Sequence, residues 1–556
     1  MAVLLAALLG LAELPFAAFM ADDLFQLGAL EGVSPCTWLG PWRLYTISDG
    51  VPEHVPAMQD AGAFPWFFGP DFNMAFFRPL SSALLAADHA MWGLWPVGYR
   101  LQGACWFIAL VAGLGLVLRR ALPGPIGTLA LIVFAISGIH GSLFWNAARH
   151  IVIAGALGTI ALAAHVRWRE TGWRSGRVLS VVGFALSLAA SEAALAVLAY
   201  LFAYEACSAP GDSKERWRAV SPALGLLAAY LAMFQLTGLG AVGGGYVDPL
   251  RAPVAFLVQL PARWLFLIGA VIGGGGADLW ILRPDLRSAL TLLGGALVVA
   301  VALLLRMVWA SGSDEERRGS RWLIAGAAAA AIPFAGTPIG SRCLVLPMLG
   351  GSVAIAFVLQ RWWTVLRPPR GVRCKVVSAG CVLLAVIHLG IAPLARLASP
   401  YVMREVMHER LVTAMQQVEL DPERLARQRV VVLRAPDFIM GLHPFFFRTL
   451  YRLPMPRSWR TLSWAPCPHR FTRTSADTLE LVLVDGQLDA PGLAVGDVVA
   501  LDGMRAKVLA RDGRGPTRVE FQFDRSLDDP GLYFLTWRAG RLQHVVLPSI
   551  GREISL

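Results

Sequence analysis

The stretch SALTLLGGALVVAVALLLR, residues 288–306, decides the class of fold, because it is mostly apolar and has no charged residue before Arg306. A helix that crosses the hydrocarbon core of a bilayer needs roughly 20 mostly apolar residues, and this stretch has that length. The whole chain shares this character: of its 556 residues, 56% are hydrophobic and 16% are charged, and the mean hydropathy is +0.56. The sequence therefore predicts a polytopic α-helical membrane protein.

About eleven segments have the composition of a membrane span. They lie near 1–20, 99–118, 124–139, 151–167, 178–191, 192–208, 219–238, 288–306, 322–337, 343–360 and 376–396. The first has neither a basic n-region nor a small-x-small cleavage site, so we interpret it as an uncleaved helix. Together these segments predict a transmembrane domain over 1–398, with a tight helical turn at Ser191–Glu192.

Basic residues collect in five short clusters between apolar runs. The clusters are Arg119/Arg120, Arg167/Arg169/Arg174/Arg177, Lys214/Arg216/Arg218, Arg306/Arg317/Arg318/Arg321 and Arg361/Arg367/Arg370/Arg373/Lys375. The positive-inside rule places all five in the cytoplasm, which predicts an inner-membrane protein with its N-terminus inside and its C-terminal domain outside. The net charge of +11 is thus explained by loops, and no nucleic-acid partner is predicted.

Two regions of the membrane domain lie outside the regular spans. A long first extracytoplasmic loop covers 21–98, and loops of this size often carry function. The stretch 239–287 contains an apolar part that Pro261, Arg263 and four glycines interrupt. We expect either a re-entrant element or an interfacial helix there.

The composition changes after about residue 398. Residues 399–428 predict a linker helix, and short β-branched and aromatic runs over 429–556 predict an extracytoplasmic all-β domain, a small barrel or sandwich. Asp485–Gly486 and Asp512–Gly513 are typical of hairpin turns. His443 and His469 stand alone and are interpreted as ordinary core or surface histidines. Cys36 and Cys467 both fall outside the membrane, where a disulfide is an open alternative.

The first loop opens on an acidic pair, Asp22 and Asp23. A buried carboxyl beside a like charge has a raised pKa while its neighbour stays ionised, an arrangement suited to general-base catalysis. The alternative is two solvated acids at a helix end. Two adjacent carboxylates could contribute to a divalent metal site, but two ligands are too few to predict one.

Further ionisable residues occur at predicted membrane boundaries, on the same side as the acidic pair. They are His140, Arg149, His150, Glu192 and Arg342. An ionisable group at such a place is a functional candidate. The alternative for each is a side chain that reaches toward the lipid headgroups.

Several short motifs resemble those of the GT-C glycosyltransferases, in particular the protein O-mannosyltransferase branch and the TPR-containing transmembrane mannosyltransferases. They are Phe76-Phe77-Arg78-Pro79-Leu80 with Asp88, Pro96-Val97-Gly98-Tyr99-Arg100, His140 through Trp145 to Arg149, Ser191-Glu192, and Ser341-Arg342-Cys343-Leu344. The resemblance covers roughly 1–365. Arg100, Gly141–Ser142, Ser191 and Ser341 depart from the family pattern, and each replaces a charged or titratable family residue.

The resemblance implies a transfer of a sugar from a polyprenyl-phosphate donor to a protein, lipid or glycan acceptor on the extracytoplasmic side of the bilayer. Asp22 or Asp23 would be the base. Arg78, His140, Arg149 and Arg342 would bind the donor phosphate, and Glu192 would orient a basic group or the sugar. The alternatives are a non-catalytic scaffold of envelope glycan synthesis, a lipid-linked polymer ligase and a transporter.

Overall fold

The computed structural model describes every residue except Thr37, 366–371, Glu419, Pro491 and Arg514. The predicted loop residues Arg367 and Arg370 therefore lie outside the described part. The chain folds as two compact units. The first unit consists of Met1–Ala18, Phe76–Thr237 and Gly245–Met403, and the second of Phe19–Ala75, Gly238–Gly244 and Arg404–Leu556. This division differs from the predicted boundaries of 1–398 and 429–556, because most of the first loop folds with the C-terminal region.

The helices, in chain order, are α1 Ala2–Ala12, α2 Asp22–Leu30, α3 His54–Asp60, α4 Pro79–Trp92, α5 Pro96–Ala121, α6 Pro125–Ala135, α7 Arg149–Thr171, α8 Arg174–Ala190, α9 Ala194–Cys207, α10 Ser213–Leu236, α11 Pro253–Ile272, α12 Leu279–Leu282, α13 Arg287–Trp309, α14 Asp314–Phe334, α15 Pro347–Val365, α16 Val372–Ala385, α17 Ala392–Met403, α18 Arg410–Gln417, α19 Pro422–Leu425 and α20 Phe438–Leu450. Short 3₁₀ segments cover Leu14–Phe16, Gly138–Phe144, Asn146–Ala148, Pro284–Leu286 and Ser341–Leu344, and π-helical turns cover Val386–Ile391 and Arg404–Glu409.

The strands are β1 Thr46–Asp49, β2 Asn73–Ala75, β3 Gly240–Val242, β4 Arg429–Val432, β5 Ser458–Thr461, β6 His469–Arg473, β7 Thr478–Leu483, β8 Val498–Leu501, β9 Met504–Asp512, β10 Gly515–Phe523, β11 Leu532–Arg538, β12 Arg541–His544 and β13 Glu553–Ser555. They form three sheets, with the orders β1-β2-β3, β13-β6-β7-β10-β9-β8 and β12-β11-β4-β5.

The first unit is a helical bundle of a multi-pass membrane protein. Six helices of the described chain are long and apolar enough to cross a bilayer: Pro96–Ala121, Asn146–Thr171, Ser213–Leu236, Pro253–Ile272, Pro284–Trp309 and Val377–Gln417. Shorter apolar helices cover Ala2–Phe16, Pro125–Gly141 and Ala194–Cys207. The predicted break at Ser191–Glu192 is confirmed, since α8 ends at Ala190 and α9 begins at Ala194.

The stretch 239–287, for which a re-entrant element or an interfacial helix was expected, contains a helix that is long and apolar enough to cross a bilayer. α11 runs without a break through Pro261 for 20 residues. Arg263 donates from Nη1 to the carbonyl oxygen of Ala335 at 2.8 Å, and the Trp264 indole donates to that of Ala328 at 2.7 Å. The Arg263 guanidinium and the Trp264 indole thus donate to backbone carbonyls of the first unit, which allows these polar groups to lie in an apolar helix.

The sequence predicted an all-β domain in the C-terminal region, but this region also contains a helix. α20 lies between β4 and β5, which pair in parallel, so these three elements form a βαβ unit. The sequence of α20, FIMGLHPFFFRTL, is apolar and aromatic enough to be mistaken for a buried strand, and ten of its thirteen residues are buried in the helix that it forms. The larger sheet is antiparallel throughout.

The two predicted hairpin turns have different outcomes. β9 and β10 pair antiparallel with Asp512 opposite Gly515, and Gly513 has φ of +51°, so that hairpin is confirmed. Asp485 also has a positive φ, of 53°, but β7 pairs with β6 and β10 rather than with the next strand, so no hairpin forms at Asp485–Gly486.

The first loop is anchored in the core of the second unit. Trp66 and Phe67 are buried among residues of both C-terminal sheets, and the Trp66 indole donates to the carbonyl oxygen of Leu462 at 2.9 Å. The Phe67 ring lies 4.7 Å from that of Trp464 in an edge-on contact. Cys36 and Cys467 are both free thiols, which removes the disulfide alternative. Burial of the Trp66 and Phe67 side chains thus stabilises the packing of the loop on the C-terminal sheets.

Candidate functional site

The acidic pair begins α2 in the second unit, and the two carboxyl groups have different surroundings. Asp23 is 2% exposed, and its Oδ2 accepts a hydrogen bond from the Met20 backbone N–H at 3.1 Å. The Asp22 side chain is 33% exposed. Ala21, just before the pair, has φ 49° and ψ −123°, a conformation that residues other than glycine rarely adopt. Asp23 therefore bonds to the backbone inside the protein, whereas Asp22 is accessible to solvent.

A histidine that the sequence analysis set aside lies beside this pair. His443, on α20, places Nε2 3.9 Å from Oδ1 of Asp22 and is 2% exposed. The two helices pack through Phe25 and Phe446, whose ring centroids are 5.4 Å apart. Sequence spacing carried no signal for this neighbour, because only the packing of α2 on α20 brings the two residues together.

The first unit brings together two of the predicted residues, Arg78 and Glu192. Arg78 precedes α4, and Glu192 lies in the turn between α8 and α9. The guanidinium contacts the carboxylate twice, with Nε 2.9 Å from Oε2 and Nη2 bonded to Oε1. Glu192 thus forms an ion pair with Arg78 inside the first unit.

Next to this ion pair lie His150 and Arg342. His150 Nδ1 is 2.8 Å from the Ser191 hydroxyl, and the charges of Arg78 and Arg342 both act on the His150 ring. Arg342, half-buried, donates to the carbonyl oxygen of Pro338 at 3.3 Å, and its guanidinium lies 5.8 Å from the Trp145 ring centre. The first unit therefore groups Arg78, Glu192, His150 and Arg342.

Arg149 occupies a different environment from the one predicted. Its Nη2 lies 2.5 Å from Oδ2 of Asp88, and its Nη1 donates to the carbonyl oxygen of Tyr99 at 3.2 Å. The side chains of Arg149 and Asp88 are 3% and 0% exposed. A guanidinium already neutralised and sealed from solvent is poorly placed to receive a donor phosphate.

His140 is likewise enclosed. Its ring lies 4.9 Å from the Phe107 ring and 4.7 Å from the Phe134 ring, and Nε2 is 2.7 Å from the Phe134 carbonyl oxygen. The side chain is fully buried. This packing gives His140 the surroundings of a core residue rather than those of a phosphate ligand.

A buried ionic cluster in the first unit escaped the sequence analysis. Glu13, at the end of α1, bonds to both Arg100 and Arg396, with Arg396 Nη2 2.6 Å from Glu13 Oε1. All three side chains are buried. The signal was present, since Glu13 and Arg396 are isolated charges within apolar segments.

The acidic pair is the place where the sequence left a divalent metal open. Oδ2 of Asp23 accepts from the Met20 N–H, and the Asp22 side chain is partly exposed. Among the described residues, no group of three or more His, Cys, Asp and Glu side chains is placed to hold a metal ion.

Comparison with known proteins adds three solved structures. ArnT from Cupriavidus metallidurans, bound to undecaprenyl phosphate, is similar at 12% identity and a TM-score of 0.41, over 94% of this chain and 97% of ArnT. The Archaeoglobus fulgidus oligosaccharyltransferase in its apo form is similar at 12% identity and a TM-score of 0.42, over 82% of this chain and 64% of that chain. A mycobacterial arabinofuranosyltransferase, AftD, is similar at 15% identity and a TM-score of 0.33, over 80% of this chain and 33% of AftD. No protein-family model and no curated protein matches the sequence.

Proposed function

We propose that this protein is a membrane glycosyltransferase of the GT-C type, which transfers a sugar from a polyprenyl-phosphate donor to an extracytoplasmic acceptor. The observation that carries the proposal is the unequal pair at the start of α2. Asp23 is bound to backbone and buried, whereas Asp22 is partly exposed and can reach an acceptor. General-base catalysis needs one accessible carboxylate in a rigid setting. The motifs that resemble the GT-C family supply the reaction class.

In the proposed step, the Asp22 carboxylate takes the proton of the acceptor hydroxyl while that oxygen forms a bond to the anomeric carbon of the donor. The bond from the anomeric carbon to the phosphate oxygen breaks, and its electron pair leaves on the polyprenyl phosphate. Arg342 is our candidate for binding that phosphate, because it is half-buried and its guanidinium can present parallel donors. Arg78, paired with Glu192 and 8% exposed, is set aside on the same ground as Arg149.

The proposed location is the inner membrane, with the N-terminus in the cytoplasm and the second unit outside, as the basic loops predict. The partners of the reaction are then the lipid-linked donor and an acceptor that reaches the membrane from outside. The acceptor is a protein, lipid or glycan hydroxyl.

The test compares Asp22→Asn with Asp23→Asn in membranes supplied with polyprenyl-phosphate sugars that carry a radiolabel. We expect Asp22→Asn to reduce transfer at least about 100-fold while the protein keeps its thermal stability. Asp23→Asn weakens the acceptor of the Met20 N–H bond, so it lowers the unfolding temperature. Full transfer by Asp22→Asn would exclude the proposed base.

The second candidate function is a non-catalytic scaffold of envelope glycan synthesis. The observation that favours it is the burial of Arg149 and His140, two residues that the resemblance assigns to donor binding. If wild-type membranes release no polyprenyl phosphate from any labelled donor, the scaffold is favoured over the enzyme. Movement of the intact labelled donor across the membrane would instead favour a transporter.

A further inference from the structure

The C-terminal region places a histidine against the proposed base. The inference drawn from this contact rests on the function proposed above. Nε2 of His443 is 3.9 Å from Oδ1 of Asp22, with His443 buried and Asp22 partly exposed. Both residues belong to the second unit. A hydrogen bond across this separation needs a small rotation and a proton on one of the two atoms, and catalytic hydrogen bonds are often long before substrate binds.

The surroundings of His443 define which ring nitrogen carries a proton. Nδ1 lies 3.2 Å from the carbonyl oxygen of Ile439, one turn earlier on α20. A carbonyl only accepts, so Nδ1 is the N–H donor. In the neutral ring Nε2 then carries the lone pair, and Nε2 is the ring nitrogen that lies 3.9 Å from Oδ1 of Asp22.

We propose that His443 is a positioning and proton-accepting residue that acts through Asp22. Asp22 takes the proton of the acceptor hydroxyl, and that proton passes from the Asp22 carboxyl to the lone pair of His443 Nε2. The carboxylate is restored, the imidazole becomes imidazolium, and release of its proton to solvent completes the cycle. The sheet-and-helix region of the second unit would thereby contribute directly to the proposed reaction.

Packing holds this geometry from both sides. The Phe25–Phe446 contact fixes α2 on α20, and Asp437 caps α20 by accepting from the Met440 N–H at 3.1 Å. The other titratable and charged groups on elements packed against this pair are Asp23, Glu31, Arg410, Asp437, Arg448, Tyr451 and Arg460. Arg410 is bonded to Asp437, and Glu31 faces Arg452. Asp22 is thus the carboxylate that the structure brings next to Nε2.

The first experiment needs no transfer assay. The ring nitrogen chemical shifts of His443 are followed by NMR in full-length protein with labelled histidines, and its signals are assigned by their loss in His443→Gln. Neutral His443 should carry its proton on Nδ1, and Asp22→Asn, which changes the group opposite Nε2, should shift the Nε2 signal. Glu31→Gln, which removes a carboxylate from the far end of the same helix, should shift it far less. An unchanged Nε2 signal in Asp22→Asn, or a neutral ring protonated on Nε2, overturns the inference.

The second experiment measures kcat, KM and their pH dependence for sugar transfer from the labelled polyprenyl-phosphate donors. His443→Gln should lower kcat roughly 10–100-fold with little change in KM, and should alter the pH dependence of kcat. His544→Gln, an exposed histidine of the same unit, is the matched control. A thermal unfolding curve for each variant separates misfolding from this effect.

The outcomes distinguish the two proposals. Wild-type kcat and pH profile in His443→Gln, together with lost transfer in Asp22→Asn, would overturn the role of His443 and keep the proposed function. Full transfer in Asp22→Asn would overturn the proposed function itself. If His443→Gln does not fold, the response of the Nε2 signal to Asp22→Asn alone decides the inference.

Discussion

Arg149 and Asp88 form an ion pair, with Nη2 2.5 Å from Oδ2 and both side chains buried in the helical unit. Asp88 lies on α4, and Arg149 begins α7, so the pair joins the end of the first loop to a helix long enough to cross the membrane. A buried pair contributes little net stability over apolar residues, but removal of one partner leaves an uncompensated charge. The geometry therefore assigns both residues a structural role.

Asp88→Ala should destabilise the protein by about 3–5 kcal/mol, because Arg149 would remain buried and charged without its partner. The measurement is the thermal unfolding of purified protein in detergent. Asp285→Ala is the control, since Asp285 pairs with Arg283 at an exposed position where the loss of stability is small. Equal midpoints for Asp88→Ala and the wild type would contradict the structural role.

Trp66→Ala should cost about 3–5 kcal/mol and expose the first loop to protease, because the indole fills a core that both C-terminal sheets share. Limited proteolysis followed by mass spectrometry locates the cleavage. Trp42→Ala is the matched control, since Trp42 is 63% exposed. Cleavage of both variants at the wild-type rate would show that Trp66 does not anchor the loop.

Sequence reasoning predicted the features that depend on local composition. The membrane helices follow from long apolar runs, the break near Glu192 from a polar residue between two such runs, and the hairpin at Gly513 from its turn residues. Each of these is decided by residues close together in the chain, where periodicity and turn chemistry are readable.

The contacts between distant segments could not be predicted in this way. His443 looked isolated because its neighbour, Asp22, lies on a helix at the other end of the sequence. Arg149 looked like an open cation because nothing in its own segment shows that Asp88 neutralises it. α20 was missed because aromatic residues are as common in strands as in buried helices.

The ion pair between Arg78 and Glu192 is suited to a double-mutant cycle. Arg78→Ala and Glu192→Ala should each destabilise the protein, and the double variant should be less destabilised than their sum by about 1–3 kcal/mol, because the second change removes a charge that the first left unpaired. Arg120 and Glu170, paired at 3.0 Å but partly exposed, provide the control cycle, with an expected coupling below about 1 kcal/mol. Equal coupling in the two cycles would contradict the stronger pairing assigned to Arg78 and Glu192.

His469 makes the stability of the second unit depend on pH. Its Nδ1 lies 2.7 Å from the carbonyl oxygen of Cys467, and its Nε2 lies 2.6 Å from the Ser463 hydroxyl. Burial lowers the pKa of His469 to about 4, from an ordinary value of 6.5. Between these two values the unfolded chain binds a proton that the folded chain does not, so the stability falls as the pH falls from 6.5 to 4.

The full effect should approach about 3 kcal/mol at pH 4 and vanish above pH 7. Other groups titrate in the same range, so the measured quantity is the difference between variants. We expect His469→Gln to be less stable than the wild type at pH 7.5, because it loses buried contacts, and to lose less stability on acidification. His544→Gln, at an exposed site, should follow the wild-type curve. Parallel pH curves for His469→Gln and the wild type would mean that His469 takes up its proton equally in the folded and unfolded chains.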